Sequence, residues 1–489
     1  MKPPNTLFKV DNLRNVGWIV AFMAVPAVAG PPADALAELR RLNPHLKTDD
    51  VRELPMKVRS LANSPHDYFR GAADIFYEWC ATSCRDWIDD KSVFVTLHGD
   101  VHIGNLGTHL REAGSAPMID FGVVDFDEVV TGPFQLDLLR GLTSLRFAAA
   151  ERKKRIDPSD WAEIADRLCG AYEEALSGVA PAGRVASIDD VADLLADAAQ
   201  GSWKKHLDKY ADGQGRDMRF RRVRLKKGAI SDIMESLSAA ERTEVEHALW
   251  NARLACDDTP LSDTLALKTS VQLRAAILDA ARWTRLGSAG SQGMHKYLIL
   301  LHLGGAEGAP AATKRFGDSD VVLIELKEEP PPGAVRAGLL KAEASPEHRA
   351  REVAAAHCAM WGITPPLVGH ARIGDHGFLL RLKDPWSEEL DEKDFKKKKG
   401  LLRVAEIMGH AVGLAHRGGL KPDTDAGRQR VEAIRRAARS LPAQVLGRSR
   451  DAEKFVREQY AALRDNPDVK KMRAVAEAFI AGAAAEGGD

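Results

Sequence analysis

Apolar and polar positions alternate in ways that divide the chain into helical ends and a strand-rich middle. From 34 to about 88, apolar residues recur at intervals of three and four, as in Ala35, Leu36, Leu39 and Leu42, the period of an amphipathic helix. Val93-Phe94-Val95-Thr96-Leu97 breaks that rhythm with β-branched and aromatic residues. It runs straight into His98-Gly99-Asp100, so it predicts a strand ending in a loop. Residues 117–121 and 123–125 predict short strands about a turn. Residues 134–270 read as mostly helical, interrupted by a basic stretch over 216–227. Beyond 270 the texture changes: glycines gather at Gly287, Gly290 and Gly293, and apolar runs suited to strands occupy 297–302, 321–326 and 377–382. Alanine-rich helix returns over 401–489.

This order predicts an α+β protein with a small β-rich lobe and a large helical lobe. The expected divisions are an N-terminal segment 1–33, a helical lobe over 34–270, a β-rich lobe over 271–385, and a hinge with closing helices over 386–489. A chain of 489 residues has room for more than one core. With 69 basic against 70 acidic residues it generates no global field to attract nucleic acid or anionic lipid. The five cysteines are scattered and no second Cys/His pair joins Cys80 and Cys84, so all are read as buried thiols in a reducing compartment.

The chemistry concentrates in His98-Gly99-Asp100-Val101-His102-Ile103-Gly104-Asn105 and in Asp125-Phe126-Asp127. Phosphoryl transfer to a hydroxyl needs a carboxylate to orient the nucleophile and accept its proton, a role suited to Asp100. It also needs hard oxygen ligands for Mg²⁺, which Asn105 and Asp125 supply. His98 and His102 are expected to position the loop rather than bind metal, for want of a third ligand at zinc spacing.

The loop resembles that of aminoglycoside phosphotransferases and choline-kinase-like enzymes, and more loosely the HRD loop of protein kinases. Asp125-Phe126-Asp127 is similar to the DFG motif, with Asp127 in place of its glycine. Gly132-Pro133 followed by Asp137-Leu138 resembles an element of the small-molecule kinases whose Asp, here Asp137, supports the loop by hydrogen bonding. Ile119-Asp120-Phe121-Gly122 spells DFG literally; the twelve residues from Asp125 to Asp137 favour Asp125 as the metal ligand, with Asp120 the alternative. The chain from about 55 to 480 also resembles the bacterial domain of unknown function 2252 family, through Ser64-Pro65-His66-Asp67-Tyr68-Phe69-Arg70-Gly71, the HGDVHIGN loop and VVDFDE. That family is grouped with protein-kinase-like folds. Arg70 is a candidate phosphate or substrate contact or, equally, a structural ion pair.

The nucleotide-binding half is expected downstream. Gly287, Ser288, Gly290, Ser291 and Gly293 form a turn whose backbone can approach phosphates closely. Lys327 ends an apolar strand, as does the lysine that pairs ATP phosphates in kinases, and its acidic partner is sought at Glu352, with Glu347 as alternative. Taken in the order 270–420 then 95–150, the elements fall in kinase sequence, so the fold is read as circularly permuted.

The expected activity is ATP- and Mg²⁺-dependent phosphotransfer to a hydroxyl of a small molecule or peptide. The alternatives are a nucleotide-binding scaffold without catalysis and transfer of AMP on the same fold. Lys9 and Arg14 precede an apolar run over 17–30 that ends in Ala27-Val28-Ala29, like a signal peptide but too short for a membrane span. Dependence on ATP favours a cytoplasmic protein, with export as the alternative.

Overall fold

The computed structural model describes residues 35–486, apart from 114–116, 152–155, 179–184, 227–228, 287–289, 304–315, 317–318, 344, 393–394 and 396. The signal-like segment 1–33, Gly287 and Ser288 therefore lie outside the described residues.

The chain is an α+β protein organised on one eight-stranded antiparallel sheet. Its strands run in the order Val223–Lys226, Ala229–Ser236, Ile277–Arg285, Lys296–His302, Val321–Glu328, His376–Leu382, Val368–Ile373 and Arg253–Leu254. Every residue of Val321–Glu328 is buried, as suits a central strand covered on both faces and built as a nearly continuous apolar run. The helix Pro346–Trp361 packs against the hairpin of Val368–Ile373 and His376–Leu382. Ser345 caps it by accepting from His348 N at 3.1 Å, Pro346 opens it, and Gly362 closes it at φ +66°. Gly377 permits the packing, since a Cβ there would stand 2.0 Å from the Pro346 carbonyl oxygen.

A second core is helical. Lys398–Gly419 lies along Pro158–Ser177, where Gly409 and Gly413 let the two backbones approach: a Cβ on Gly409 would fall 2.3 Å from the Leu168 carbonyl. Gln135–Glu151 is buried along almost its whole length. Two short antiparallel pairs lie against this body: Phe94–Leu97 with Val130–Pro133, and Leu106–Glu112 with Met118–Val123. The loop 98–105 leaves the first pair and enters the second.

Three expectations change. The sheet is not confined to 271–385, because Val223–Lys226, Ala229–Ser236 and Arg253–Leu254 join it from within the span read as helical. Residues 123–125 do not form a second strand; the strand Met118–Val123 ends there and the backbone turns, with Asp125 at φ +66°. Cys256 and Cys358 are not free thiols but a disulfide, their Cα atoms 5.9 Å apart, tying the end of an edge strand to the helix Pro346–Trp361. Cys80, Cys84 and Cys169 are buried and free.

Candidate functional site

The loop 98–105 is held from below by Asp137. Its buried carboxylate accepts from His98 N at 2.7 Å, Gly99 N at 2.9 Å and His416 Nε2 at 2.9 Å, and Tyr172 steadies the far side of that imidazole at 2.9 Å. Burial opposes the Asp137 charge, but these donors, His416 foremost, hold its carboxyl below the usual range. His98 Nδ1 accepts from Asp100 N at 3.2 Å, so its Nε2 carries the proton and donates to Val124 O at 2.9 Å. Gly99 adopts φ +80°, where a Cβ would stand 2.1 Å from the Glu128 carbonyl. This tight turn presents Asp100 to the cleft.

Asp100 is fixed by a side chain that the sequence did not single out. Arg140, fully buried, donates from Nε to Asp100 Oδ1 at 2.8 Å while its guanidinium stacks 4.4 Å from the Phe69 ring centre. His102 Nε2 lies 3.6 Å from the other carboxylate oxygen. Burial, then Arg70 and Arg140, push the His102 imidazolium well below its usual range, so the ring is neutral. Asn105 Nδ2 donates to the Asp100 carbonyl at 2.9 Å, which leaves its amide oxygen for another partner.

Lys327 reaches the neighbouring 125–129 turn from the centre of the sheet. Its Nζ lies 2.8 Å from Asp125 Oδ1 and also pairs with Asp127 Oδ2. Burial works against the ammonium, yet the two carboxylates together keep it charged to well above the ordinary lysine range. The Asp125 side chain keeps 42% of its surface open to the cleft, though the surrounding walls still desolvate it. Lys327 and Arg381 nevertheless hold Asp125 well below the usual carboxyl range. Burial, then Asp125, push Asp127 up to about 7, and its Oδ1 is buried without a hydrogen-bond partner among the described residues. Two carboxylates, one with an orphaned oxygen, beside the amide of Asn105 make a donor set that fits a hard divalent cation.

Two cavities share Asp125 and Ser291 in their walls. The larger, about 1060 Å³, opens along the sheet and is lined by Lys327, Lys296, Glu325, Arg381 and Trp361 among others. The smaller, about 50 Å³, holds Asp100, Asn105 and Asp127 with Lys57, Arg70 and Gly290. Gly290 and Ser291, in the turn between Ile277–Arg285 and Lys296–His302, line the smaller cavity, whereas Gly293 of the same turn lies against Leu46 and Glu53, away from it. Lys296, directly opposite Lys327 in the strand register, donates to Ser291 Oγ at 2.5 Å. Burial, then neighbouring Lys327, push it down to about 7.

Glu352 does not meet Lys327. It pairs with Arg349 at 2.8 Å, and Arg349 uses its remaining donors on the carbonyls of Asp127, Val129 (2.6 Å) and Pro330 (3.3 Å). The helix therefore addresses the 125–129 turn through an arginine, and the lysine's carboxylate partners come from that turn itself. Asp120 lies on a partly exposed strand and is bound by Arg111 at 2.6 Å, away from Lys327. Arg70 borders the smaller cavity, its Nη1 3.8 Å from Glu392. Of the basic stretch 216–227, Arg221, Arg224 and Lys226 line the larger cavity. Lys57, Arg140 and Lys296 were missed, because single basic residues in helices or at strand ends carry no sequence signature of burial.

Fold and site together define an α+β protein whose acidic loop meets a buried lysine at a cleft beside an antiparallel sheet. The chain belongs to the domain of unknown function 2252 family, described as an uncharacterized protein conserved in bacteria, whose profile matches residues 50–466. Neither the curated proteins nor the solved structures contain a match.

Proposed function

We propose that this protein is an ATP- and Mg²⁺-dependent phosphotransferase with a kinase-like, circularly permuted architecture. The observation that carries the reading is the meeting of Lys327 with Asp125 and Asp127 beside the loop that bears Asp100 and Asn105. The order of elements adds support: a glycine-bearing turn between two strands, a strand with a buried lysine, a helix, a hairpin, and a long helix that returns to the acidic loop. Permutation leaves this arrangement intact because it depends on position in space, not on order of synthesis.

In the proposed reaction the acceptor hydroxyl approaches Asp100, which Arg140 holds in place. The hydroxyl oxygen forms a bond to the γ-phosphorus of ATP, the bond from that phosphorus to the β,γ-bridging oxygen breaks, ADP leaves with the electron pair, and the hydroxyl proton passes to Asp100. Lys327 and Lys296 supply positive charge along the triphosphate. Asn105, Asp125 and Asp127 would hold Mg²⁺, which supplies charge neutralisation for the phosphate oxygens.

The test is mass spectrometry of a bacterial metabolite extract treated with the protein and Mg-ATP. A product heavier by one phosphate, absent with Asp100→Asn, is expected; products carrying AMP, or equal yields from both proteins, would contradict the assignment.

A further inference from the structure

Resting on that reading, we infer that the acceptor carries an anionic group beside its hydroxyl, a phosphate or carboxylate that is bound by Lys57 and Arg70. Both line the smaller cavity together with Asp100, whereas Lys327 and Lys296 line the larger one. The two cations come from consecutive helices, Leu54–Leu61 and Pro65–Gly71, which pack against each other.

The charge balance of the cavity singles them out. Asp100 pairs with Arg140, while Asp125 and Asp127 share Lys327, which leaves Asp127 Oδ1 for the proposed metal. Glu128 accepts from Gly333 N and has Arg336 at 4.0 Å. Lys57, only 2% exposed, donates to the uncharged carbonyl of Gly290 at 3.0 Å, and among the described residues no carboxylate pairs with it. Among the described residues the one carboxylate within 4 Å of Arg70 is that of Glu392, at 3.8 Å, and the buried Arg70 Nε has no hydrogen-bond partner. Gly104 leaves room for this guanidinium against the loop: a Cβ there would lie 3.1 Å from Arg70 Nη2. A buried ammonium and an under-used guanidinium in a desolvated pocket favour an oxyanion strongly and repel a cation. With the anion held there, the acceptor's hydroxyl is delivered to the neighbouring Asp100. Its oxygen then takes the γ-phosphoryl group, ADP leaves, and the proton goes to Asp100. A polyamine or amino sugar would meet two positive charges at the same place.

The test uses the full-length protein saturated with Mg²⁺ and the non-hydrolysable β,γ-imido analogue of ATP, so that the larger cavity is filled. Inorganic phosphate, and ethanolamine as a cationic control, are then titrated by calorimetry. Phosphate is expected to bind wild type, ethanolamine not to bind, and phosphate affinity to fall at least tenfold in Arg70→Gln and in Lys57→Met while the analogue binds as before. Arg70→Gln removes a third-exposed side chain and serves if the buried Lys57→Met fails to fold. Analogue binding without phosphate binding, unchanged phosphate affinity in Arg70→Gln, or variants that weaken the analogue instead would overturn this inference alone. Failure of the analogue to bind wild type would overturn the phosphotransferase reading beneath it.

Discussion

Lys327 Nζ lies 2.8 Å from Asp125 Oδ1, although 202 residues separate them in the chain. The contact joins the central strand of the sheet to the turn that follows Met118–Val123, so it ties the two cores together as well as organising the cleft. Lys327→Met would leave Asp125 and Asp127 facing each other without the cation between them, Arg381 acting on Asp125 as before. A stability loss of roughly 2–4 kcal/mol is expected, less than for a fully enclosed pair because Asp125 opens to the cleft. If these carboxylates also hold Mg²⁺, the ion should raise the melting temperature of Lys327→Met more than that of wild type. Equal shifts in a thermal melt would count against a metal site there.

Asp100→Asn keeps the shape of the loop but removes the proton acceptor. Transfer should drop by about 10²–10⁴-fold. Calorimetric affinity for Mg-ATP should stay within a factor of two or three, because Lys327 and Asp125 are untouched. A matching loss of nucleotide affinity would mean that Asp100 binds rather than reacts.

Lys296 gives the fold a pH signature. Its folded value is pushed down to about 7 from an ordinary 10.5, so between these values the unfolded chain carries a proton that the folded chain lacks. Stability from this group therefore rises with pH across that window and is lost as pH falls through about 7. Urea unfolding at pH 7 and pH 9 should show the rise in wild type and a flatter response in Lys296→Met. A triphosphate beside Lys296 should draw the proton back, so ATP binding at pH 8 is expected to take up protons, read from binding heats in buffers of different ionisation enthalpy.

The Cys256–Cys358 disulfide closes a loop across a separation of 102 residues. Opening it with reductant, or by Cys256→Ser, should lower stability by about 2–4 kcal/mol, since the unfolded chain regains the freedom that the link removed. An unfolding midpoint indifferent to reductant would contradict the pairing.

Much of the site was legible because its chemistry is local. His98, Asp100 and Asn105 share one loop, and the strand before it announces itself through Val93-Phe94-Val95. The choice between Asp120 and Asp125 was harder, since both precede a phenylalanine; it depends on a backbone turn at φ +66° that composition does not reveal. Arg140 was hidden because one arginine in Leu138-Leu139-Arg140-Gly141 looks like any helical surface charge, until Phe69 and Asp100 close over it. Glu352 was a reasonable candidate by distance along the chain, but Arg349, one helical turn earlier, captures it. The strand Val223–Lys226 was obscured by its own basic residues, which face a cavity and so break the apolar pattern of a sheet. The cysteine pair depends on an edge strand and a helix far apart in sequence, a relation that spacing alone cannot carry.

The most direct test of the central claim is labelling with an ATP acyl phosphate, which transfers its acyl group to a lysine lying beside the bound phosphates. Lys296 and Lys327 are the predicted sites, identified by peptide mass spectrometry, and excess Mg-ATP should abolish their labelling. Acylation confined to exposed lysines and indifferent to ATP would show that no triphosphate sits between Asp125 and the sheet.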